Sequence, residues 1–380
     1  MPKNSEEEET SSLLEFNQED EKTKLKKEDL QKTLIPQKRV YDLLDILKLT
    51  SFGTPLRAAI EKISYMNSGA LIIVANDEVL RLIKGGFSID CKFTSNRVAE
   101  LSKMDGAIVL NNNLSRVLYA GTLLIPNPDI KTSETGSRHQ AAERAAKQTG
   151  QLCIAVSQRT GQITIYYGNL RYQLKKLEDL LSRIRSTLNN MSKYKKIIDD
   201  LILKLNVLEI VGVVEVYDVI ILMQRLEIIS RISEDAKQEL TEIGKEAGLF
   251  EMEFKELTKD LERELLLIIR DYKNKVSAKA IRKYLSNFSF DSLLELNNVA
   301  MSMGYSSLHE KIAPKGYRFL SKIKSLSPAK IEYITKKFQL KELFDVDVEQ
   351  LHRALGIDKK ECLEILEETK KLKNELISKL

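Results

Sequence analysis

The stretch from Gly136 to Gly150, GSRHQAAERAAKQTG, is the part of the chain from which the rest can be interpreted. Its centre, Gln140 to Gln148, consists of alanine and other strong helix formers, and Gly150 stands where helices commonly stop. Ser137 and Gln140 have the S-x-x-Q spacing of a capping box. The sequence therefore predicts a helix that starts at Ser137 and ends at Gly150.

Two side chains with basic nitrogens fall in the first turn of this helix. Arg138 and His139 stand where the helix dipole attracts anions and repels cations. Their position is favourable if an anion lies among them, bound by the free backbone N–H groups and by the side chains. The segment alone leaves two interpretations equally open, a phosphate site and a capped helix with solvated side chains.

Composition restricts the class of protein. A length of 380 residues suits two or three domains, and 43% hydrophobic with 30% charged residues is typical of soluble proteins. The net charge of +5 permits nucleic-acid binding without requiring it. Cys91, Cys153 and Cys362 are far apart, which argues against structural zinc and for a reducing compartment. No apolar run approaches the roughly 18 residues of a membrane span, so we expect a cytoplasmic protein without a membrane partner.

The charge density and the hydrophobic pattern change several times along the chain. Residues 1–34 are dense in charge and are predicted to be a disordered extension. Residues 35–170 mix predicted helices (from Val40, 56–64, 96–103) with strands that are apolar on both faces. These strands are expected at 70–74, 105–110, 117–125, 152–156 and 163–167. Such strands indicate an α/β domain with a mixed central sheet covered by helices on both sides.

The remainder is predicted to be helical. Residues 171–205, 208–230 and 235–285 carry leucine and isoleucine at helical spacing, which defines a helical spine over 171–285. Residues 286–380 suggest short helices joined by turns. Seven basic residues against one acid lie between Lys315 and Lys337. Paired short helices could use these residues to contact DNA phosphates. The alternative, which the composition favours, is that they form a solvated basic face on a small helical bundle.

The candidate active-site residues are Asp105-Gly106-Ala107 and, further on, Gly136-Ser137-Arg138-His139. With their flanks, this pair of motifs resembles the DNA integrity scanning proteins, the DisA-type diadenylate cyclases. The flanks are KMDGAIV at 103–109, ETGSRH at 134–139, AERAAKQTG at 142–150 and KGYRFLSKI at 315–323. The resemblance runs from about residue 31 to the C-terminus. It implies an α/β cyclase domain, an all-α spine and, over 286–380, a helix-hairpin-helix DNA-binding module.

The resemblance also implies a reaction. Two ATP molecules condense into cyclic di-AMP and two pyrophosphates, at a site completed when two cyclase domains face each other. In the family eight chains assemble, so a homo-octamer is expected, with Mg²⁺ or Mn²⁺ as cofactor and branched or damaged DNA as a partner. Asp105 is the expected catalytic residue and metal ligand.

The family motifs assign further roles by position. The expected ATP-binding residues are Gly106, Ala107, Leu124, Ser137, Arg138, His139, Gln140, Ala141 and Ser157. Gly106 would leave room for the nucleotide, and Leu124 would hold the adenine. The expected DNA-binding residues are Lys315, Arg318, Lys322, Lys324 and Gly356.

Three departures from the family pattern keep alternatives open. Gln140 replaces the second arginine of the family's RHR motif, Ser137 and Ala141 replace threonines, and Asp358 replaces the last glycine of a Gly-Ile-Gly hairpin. The alternatives are a DNA-binding scaffold that senses ATP without turning it over, and an active cyclase that has lost DNA binding.

Overall fold

The structure is a computed structural model that describes residues 41–378. The predicted disordered extension, residues 1–34, lies outside the described residues. The described chain forms two compact units, residues 41–181 with Thr241–Ala247, and Ser182–Leu240 with residues 248–378. The predicted domain limits near residues 170 and 285 stay predictions. Between residues 41 and 378 no helix combines the length and the apolar character that crossing a bilayer requires.

The first unit alternates helices and strands. Its helices are α1 (Leu43–Thr50), α2 (Pro55–Tyr65), α3 (Asp77–Leu82), α4 (Ser95–Leu101) and α5 (Ser137–Thr149), and the long α6 (Leu177–Val211) begins in it. Its strands are β1 (Ala70–Val74), β2 (Ile83–Lys84), β3 (Phe87–Lys92), β4 (Ala107–Leu110), β5 (Arg116–Leu124), β6 (Cys153–Val156), β7 (Ile163–Tyr167) and β8 (Leu170–Gln173).

The strands form one mixed sheet, as predicted. Its order is β2-β5-β4-β1-β6-β7-β8, and β3 also pairs with β5. β1 and β4 are parallel, with Leu71 opposite Ala107, whereas all other paired neighbours are antiparallel. The central strands β1, β4 and β6 are buried along their whole length.

Helices cover both faces of this sheet, which confirms the prediction from the doubly apolar strands. Alternate residues of β1 point to opposite faces. Ile72 packs with α1, α2 and α4 in one core, and Leu71 and Ile73 pack with α3 and α5 in the other. Small residues on α5, including Ala142, Ala145 and Ala146, allow that helix to approach the sheet closely.

Several elements differ from the prediction. The helix α3 and the short or exposed strands β2, β3 and β8 were not predicted. Residues 171–173 were assigned to a helix, but with Leu170 they form β8, which pairs with β7 from Tyr167 opposite Leu170. Their alternation of partly buried and exposed positions is that of an edge strand, and the positive φ of Gly168 (+54°) permits the tight turn before them.

The second unit is helical throughout its main elements, as predicted. Its described helices after α6 are α7 (Val216–Ile243, which ends in the first unit), α8 (Gly248–Thr258), α9 (Leu261–Tyr272), α10 (Ala278–Asn287), α11 (Phe290–Leu294), α12 (Leu296–Met303), α13 (Tyr317–Leu320), α14 (Pro328–Lys337), α15 (Leu340–Asp345), α16 (Val348–Leu355) and α17 (Lys359–Ile377). The expected break near residues 205–208 is wrong, because α6 continues to Val211 and ends at Gly212 (φ +78°).

Candidate active site

One edge of the sheet collects the residues of the candidate site. Because β1 and β4 are parallel, both begin at this edge, and their antiparallel neighbours β6 and β5 end there. Gly69 therefore precedes β1, Asp105 and Gly106 precede β4, and Ser157 follows β6. The topology thus brings together residues that are up to 88 positions apart, counting from 69 to 157.

The N-terminus of α5 differs in one respect from the prediction. The helix spans Ser137–Thr149 and ends at Gly150 in the left-handed conformation (φ +63°), as expected. The capping box is wrong, because the N-cap is Gly136 and no side chain caps the helix. Gln140 instead donates its Nε2–H to the carbonyl oxygen of Glu134 (2.9 Å). No side chain therefore caps the first-turn N–H groups of α5. Uncapped N–H groups at a helix N-terminus can bind an anion.

Arg138 lies in the first turn and points to the sheet edge. Its Nη2 is 3.5 Å from Asp105 Oδ1, and its guanidinium packs directly on Gly69. A Cβ on Gly69 would lie 2.9 Å from Arg138 Cζ, so only glycine leaves this space. The side chain of Asp105 is fully exposed and that of Arg138 is 35% exposed. Both groups are thus available to a ligand, and Gly69, which the sequence reasoning missed, is the residue that seats the arginine.

His139 is half-buried beside the last strands of the sheet. Its ring meets that of Tyr166 edge to face, with centroids 6.5 Å apart and planes at 81°. Burial lowers the pKa of His139 below its ordinary value, and the charges of Arg171 and Arg138 add to that effect while Glu134 opposes it. At neutral pH the imidazole is therefore neutral and offers one N–H to a phosphate oxygen.

The strand residues of the predicted site are mostly packed in the core. Ala107 and Leu124 are buried on the α5 side of the sheet, so they can meet a ligand through the main chain only. Gly106 has φ +114°, and a Cβ on it would lie 2.6–2.9 Å from the backbone of Gly121 and Thr122. The space that this glycine leaves on its Cβ side is therefore taken by β5 rather than by a nucleotide.

The hydroxyl and small residues of the site have different surroundings. Ser137 is exposed at the start of α5, and Ala141 is partly buried on the same helix. Ser157 lies at the sheet edge next to Gly69, but its Oγ accepts a hydrogen bond from Thr160 N (3.3 Å) within a tight turn. None of the hydrogen bonds or ion pairs found within residues 41–378 joins these three residues to the Arg138–Asp105 pair.

The metal-binding capacity of the site rests on Asp105. Among residues 41–378 there is no group of three or more His, Cys, Asp or Glu side chains that could hold an ion. Mg²⁺ commonly uses one or two carboxylates together with substrate phosphates. The exposed Asp105 therefore fits an ion shared with a nucleotide, and it does not fit a metal centre built from protein ligands alone.

The structure corrects the expected DNA contact of Arg318. Its side chain is fully buried, and its guanidinium donates to Glu209 (2.5 Å), Glu264 (2.7 Å) and Asn206 (3.2 Å). The neighbouring Asp271 accepts hydrogen bonds from three successive backbone N–H groups, beginning at Gly316. Arg318 is thus a structural residue of the second unit and cannot reach DNA.

The other expected DNA-binding residues are more accessible. Lys324 is exposed and Lys315 is partly buried. Lys322 donates to Asn206 (2.9 Å), beside the buried Arg318. Gly356 ends α16 in the left-handed conformation (φ +66°) and begins the turn to α17. Within the basic run, Lys330 and Lys336 form ion pairs with Glu361 and Glu332, so the free positive charge is smaller than the sequence suggests.

Most of the chain is similar to proteins of one family. Residues 57–170 match the family model described as DisA bacterial checkpoint controller nucleotide-binding, and residues 174–312 match the model of its linker region. The DNA integrity scanning protein DisA of Clostridium kluyveri is 36% identical over 88% of this chain and 97% of its own length. The proteins of the same name from Clostridioides difficile (36%, 83% of this chain, 91% of its own) and Symbiobacterium thermophilum (38%, 82%, 90%) are similarly close.

Proposed function

The chain belongs to the DisA family of bacterial checkpoint controllers, and from that premise we propose that its nucleotide-binding unit condenses two ATP molecules into cyclic di-AMP and two pyrophosphates. The observation that carries the proposal is the pairing of Arg138 with the fully exposed carboxylate of Asp105 at the edge of the sheet. A cation for the phosphates and a base for the hydroxyl thus stand 3.5 Å apart.

The reaction divides simply between these residues. The 3′-hydroxyl of each nucleotide attacks the α-phosphorus of the other, the bond from that phosphorus to the pyrophosphate oxygen breaks, and Asp105 accepts the hydroxyl proton. Arg138, Ser137, His139 and the free N–H groups of α5 bind the triphosphate, so the rate gain comes from positioning and charge neutralisation. An ion of Mg²⁺ or Mn²⁺, held by Asp105 and the phosphates, would supply further neutralisation of the leaving group.

The ring closure requires two facing units. Each nucleotide supplies both an attacking hydroxyl and an attacked phosphorus, so one unit with one ATP is incomplete. The complete exposure of Asp105 supports a carboxylate that acts on a nucleotide of the facing unit. We therefore propose cyclase units paired face to face within a homo-octamer, as the family assignment implies.

The C-terminal helices support a second proposed activity. We propose that α13–α17 form a helix-hairpin-helix module that binds branched or damaged DNA through Lys315, Lys324 and the turn at Gly356. Asp358, the N-cap residue of α17, places a carboxylate in that turn and weakens phosphate binding there. A four-way DNA junction titrated with the full chain, at several salt concentrations, tests this. A steep salt dependence supports phosphate contacts, and the absence of binding leaves a cyclase without DNA recognition.

The experiment for the cyclase is product analysis. The full chain incubated with ATP and Mg²⁺ or Mn²⁺ should form cyclic di-AMP, identified by mass spectrometry. Asp105→Asn should abolish the product while thermal unfolding stays within about 1 kcal/mol of wild type, because the ion pair is exposed. A folded oligomer that binds ATP but yields no product with either metal would overturn the proposal.

That negative result would favour the non-catalytic ATP sensor. One observation points in this direction, because Gln140, which stands where the family has an arginine, donates its amide to Glu134 rather than offering it to a ligand. The same assay, with ATP binding measured in parallel, separates the two functions.

A further inference from the structure

Residues 127–134, which lie between β5 and α5, are hydrogen-bonded to α5 along its length. We call this segment the strap. It runs antiparallel to the helix, and the side chains that hold it recur at the three- to four-residue spacing of one helix face. These hydrogen bonds join Asn127 to Gln148, Ile130 to Arg144, Lys131 to Lys147, Thr132 and Ser133 to Glu143, and Glu134 to Gln140.

The last residue of the strap also binds the sheet. The carboxylate Oε1 of Glu134 accepts hydrogen bonds from Tyr166 Oη (2.8 Å) and from Arg171 Nε (2.6 Å). Tyr166 and Arg171 lie opposite each other on β7 and β8, and the side chain of Glu134 is only 14% exposed. Burial raises the pKa of Glu134, but the bonds from Arg171 and Tyr166 outweigh it and lower the pKa below the ordinary value. Glu134 is therefore ionised and doubly held.

Both partners of this carboxylate face His139. The Tyr166 ring packs edge to face on the imidazole. The charged groups around the imidazole are Glu134 on the strap, Arg171 on β8 and Arg138 on α5 itself. The Glu134 carboxylate thus accepts hydrogen bonds from the tyrosine that packs on His139 and from one of the two arginines that lower the pKa of His139.

We infer that Glu134 is a positioning residue, which holds the His139 ring at the phosphate-binding end of α5 through Tyr166 and through neutralisation of Arg171. Gln140 assists by anchoring the Glu134 backbone. This gives the glutamine, which departs from the family arginine, a role in the same arrangement. The inference rests on the proposed nucleotide site, because it assigns His139 to the triphosphate.

A double-mutant cycle tests whether Glu134 acts through His139. The full chain is titrated calorimetrically with 3′-deoxy-ATP and Mg²⁺, a probe that lacks the attacking hydroxyl and therefore reports binding without turnover. Glu134→Gln should weaken binding about five- to tenfold in the wild-type background and less than about twofold in the His139→Ala background. An equal loss in both backgrounds would show a merely structural role and overturn the inference.

The pH dependence of binding gives a second readout. A protonated imidazole adds positive charge, so affinity for the analogue should rise as pH falls through the pKa of His139. The negative charge of Glu134 raises that pKa, so Glu134→Gln should displace the rise to lower pH.

Glu143→Gln is the matched control, because Glu143 is a buried carboxylate that holds the strap through Thr132 and contacts Lys147 on its own helix. An unchanged midpoint in Glu134→Gln, or the same displacement in both variants, would contradict the inference.

Failure of the nucleotide site can be told apart from failure of this inference. If the wild-type chain does not bind the analogue at all, the proposed function fails. The imidazole resonances remain informative in that case, since the chain has only three histidines. A lowered pKa of His139 by NMR in Glu134→Gln, absent in Glu143→Gln, would still support the positioning role, and no difference would overturn it.

Discussion

Replacement of Gly69 by alanine tests the site through a residue that does not itself contact phosphate. An added Cβ would overlap Arg138 Nη1 and lie 2.9 Å from its Cζ and 3.1 Å from Gln158 Cβ. Gly69 does not have a left-handed φ, so alanine suits its backbone. The substitution therefore leaves the strand unchanged and forces the guanidinium to move.

The size of the effect follows from these distances. Non-bonded carbon atoms prefer separations of about 3.5–4.0 Å, so the guanidinium must retreat by roughly 1 Å. A charge-assisted hydrogen bond contributes about 1.5–3 kcal/mol, and its loss corresponds to a ten- to hundredfold weaker affinity. The free energy of unfolding should change by less than about 1 kcal/mol, because the Arg138–Asp105 pair is exposed.

Calorimetric titration with 3′-deoxy-ATP measures this loss. Arg138→Gln sets the largest effect expected from the guanidinium. Gly248→Ala serves as the control, since a Cβ at Gly248, the first residue of α8, meets nothing within 4 Å. Wild-type affinity in Gly69→Ala, together with a clear loss in Arg138→Gln, would refute the idea that Gly69 seats the arginine.

Four further changes have defined outcomes. Gly106→Ala should destabilise the chain by at least about 3 kcal/mol in denaturant unfolding, because φ is +114° and the Cβ would meet the β5 backbone. Gln140→Arg should tighten binding of 3′-deoxy-ATP by up to about tenfold if the second family arginine is a phosphate ligand, and unchanged calorimetric affinity would argue against that role. Arg318→Met should cost about 3–5 kcal/mol in thermal unfolding because it leaves the buried Glu209 and the partly buried Glu264 without their cation, and full stability with lost DNA binding would contradict its buried role. Burial and the neighbouring Glu209 raise the pKa of Asp271 from 3.8 to about 7, so the folded chain binds a proton that the unfolded chain releases. Stability should therefore fall as pH rises from about 4 to about 7, and Glu209→Gln should flatten this slope in urea titrations across that window.

The α/β fold was predictable because its signals are local. Strands such as Ala70–Val74 are short apolar runs, and Ser137–Thr149 is bounded by glycines and filled with strong helix formers. The strands that escaped prediction, β2, β3 and β8, lie at edges and carry weak alternating patterns. Such strands are stabilised mainly by pairing with a neighbour, which a single stretch of sequence does not reveal.

The candidate site was predictable in its residue types and only partly in its geometry. The sequence placed Arg138 and His139 in the first turn of a helix and Asp105 before a strand, and the structure brings Arg138 to Asp105. The sequence did not indicate that Gly69 seats the guanidinium or that Gln140 binds the Glu134 carbonyl instead of capping the helix. Side-chain partners of this kind depend on the path of the backbone between elements.

Arg318 shows most clearly what cannot be predicted from the sequence alone. By itself it is one of several basic residues in a run, and its charge suggests an exposed DNA contact. Its partners Asn206 and Glu209 precede it by more than a hundred positions, and only the packing of the helical unit brings them to its guanidinium. The sequence alone therefore determined the central strands, the main helices and the α/β class of the first unit, since these follow from local pattern and composition. The tertiary structure decided which charges face solvent and which are buried in pairs, because burial is a property of contacts between distant segments.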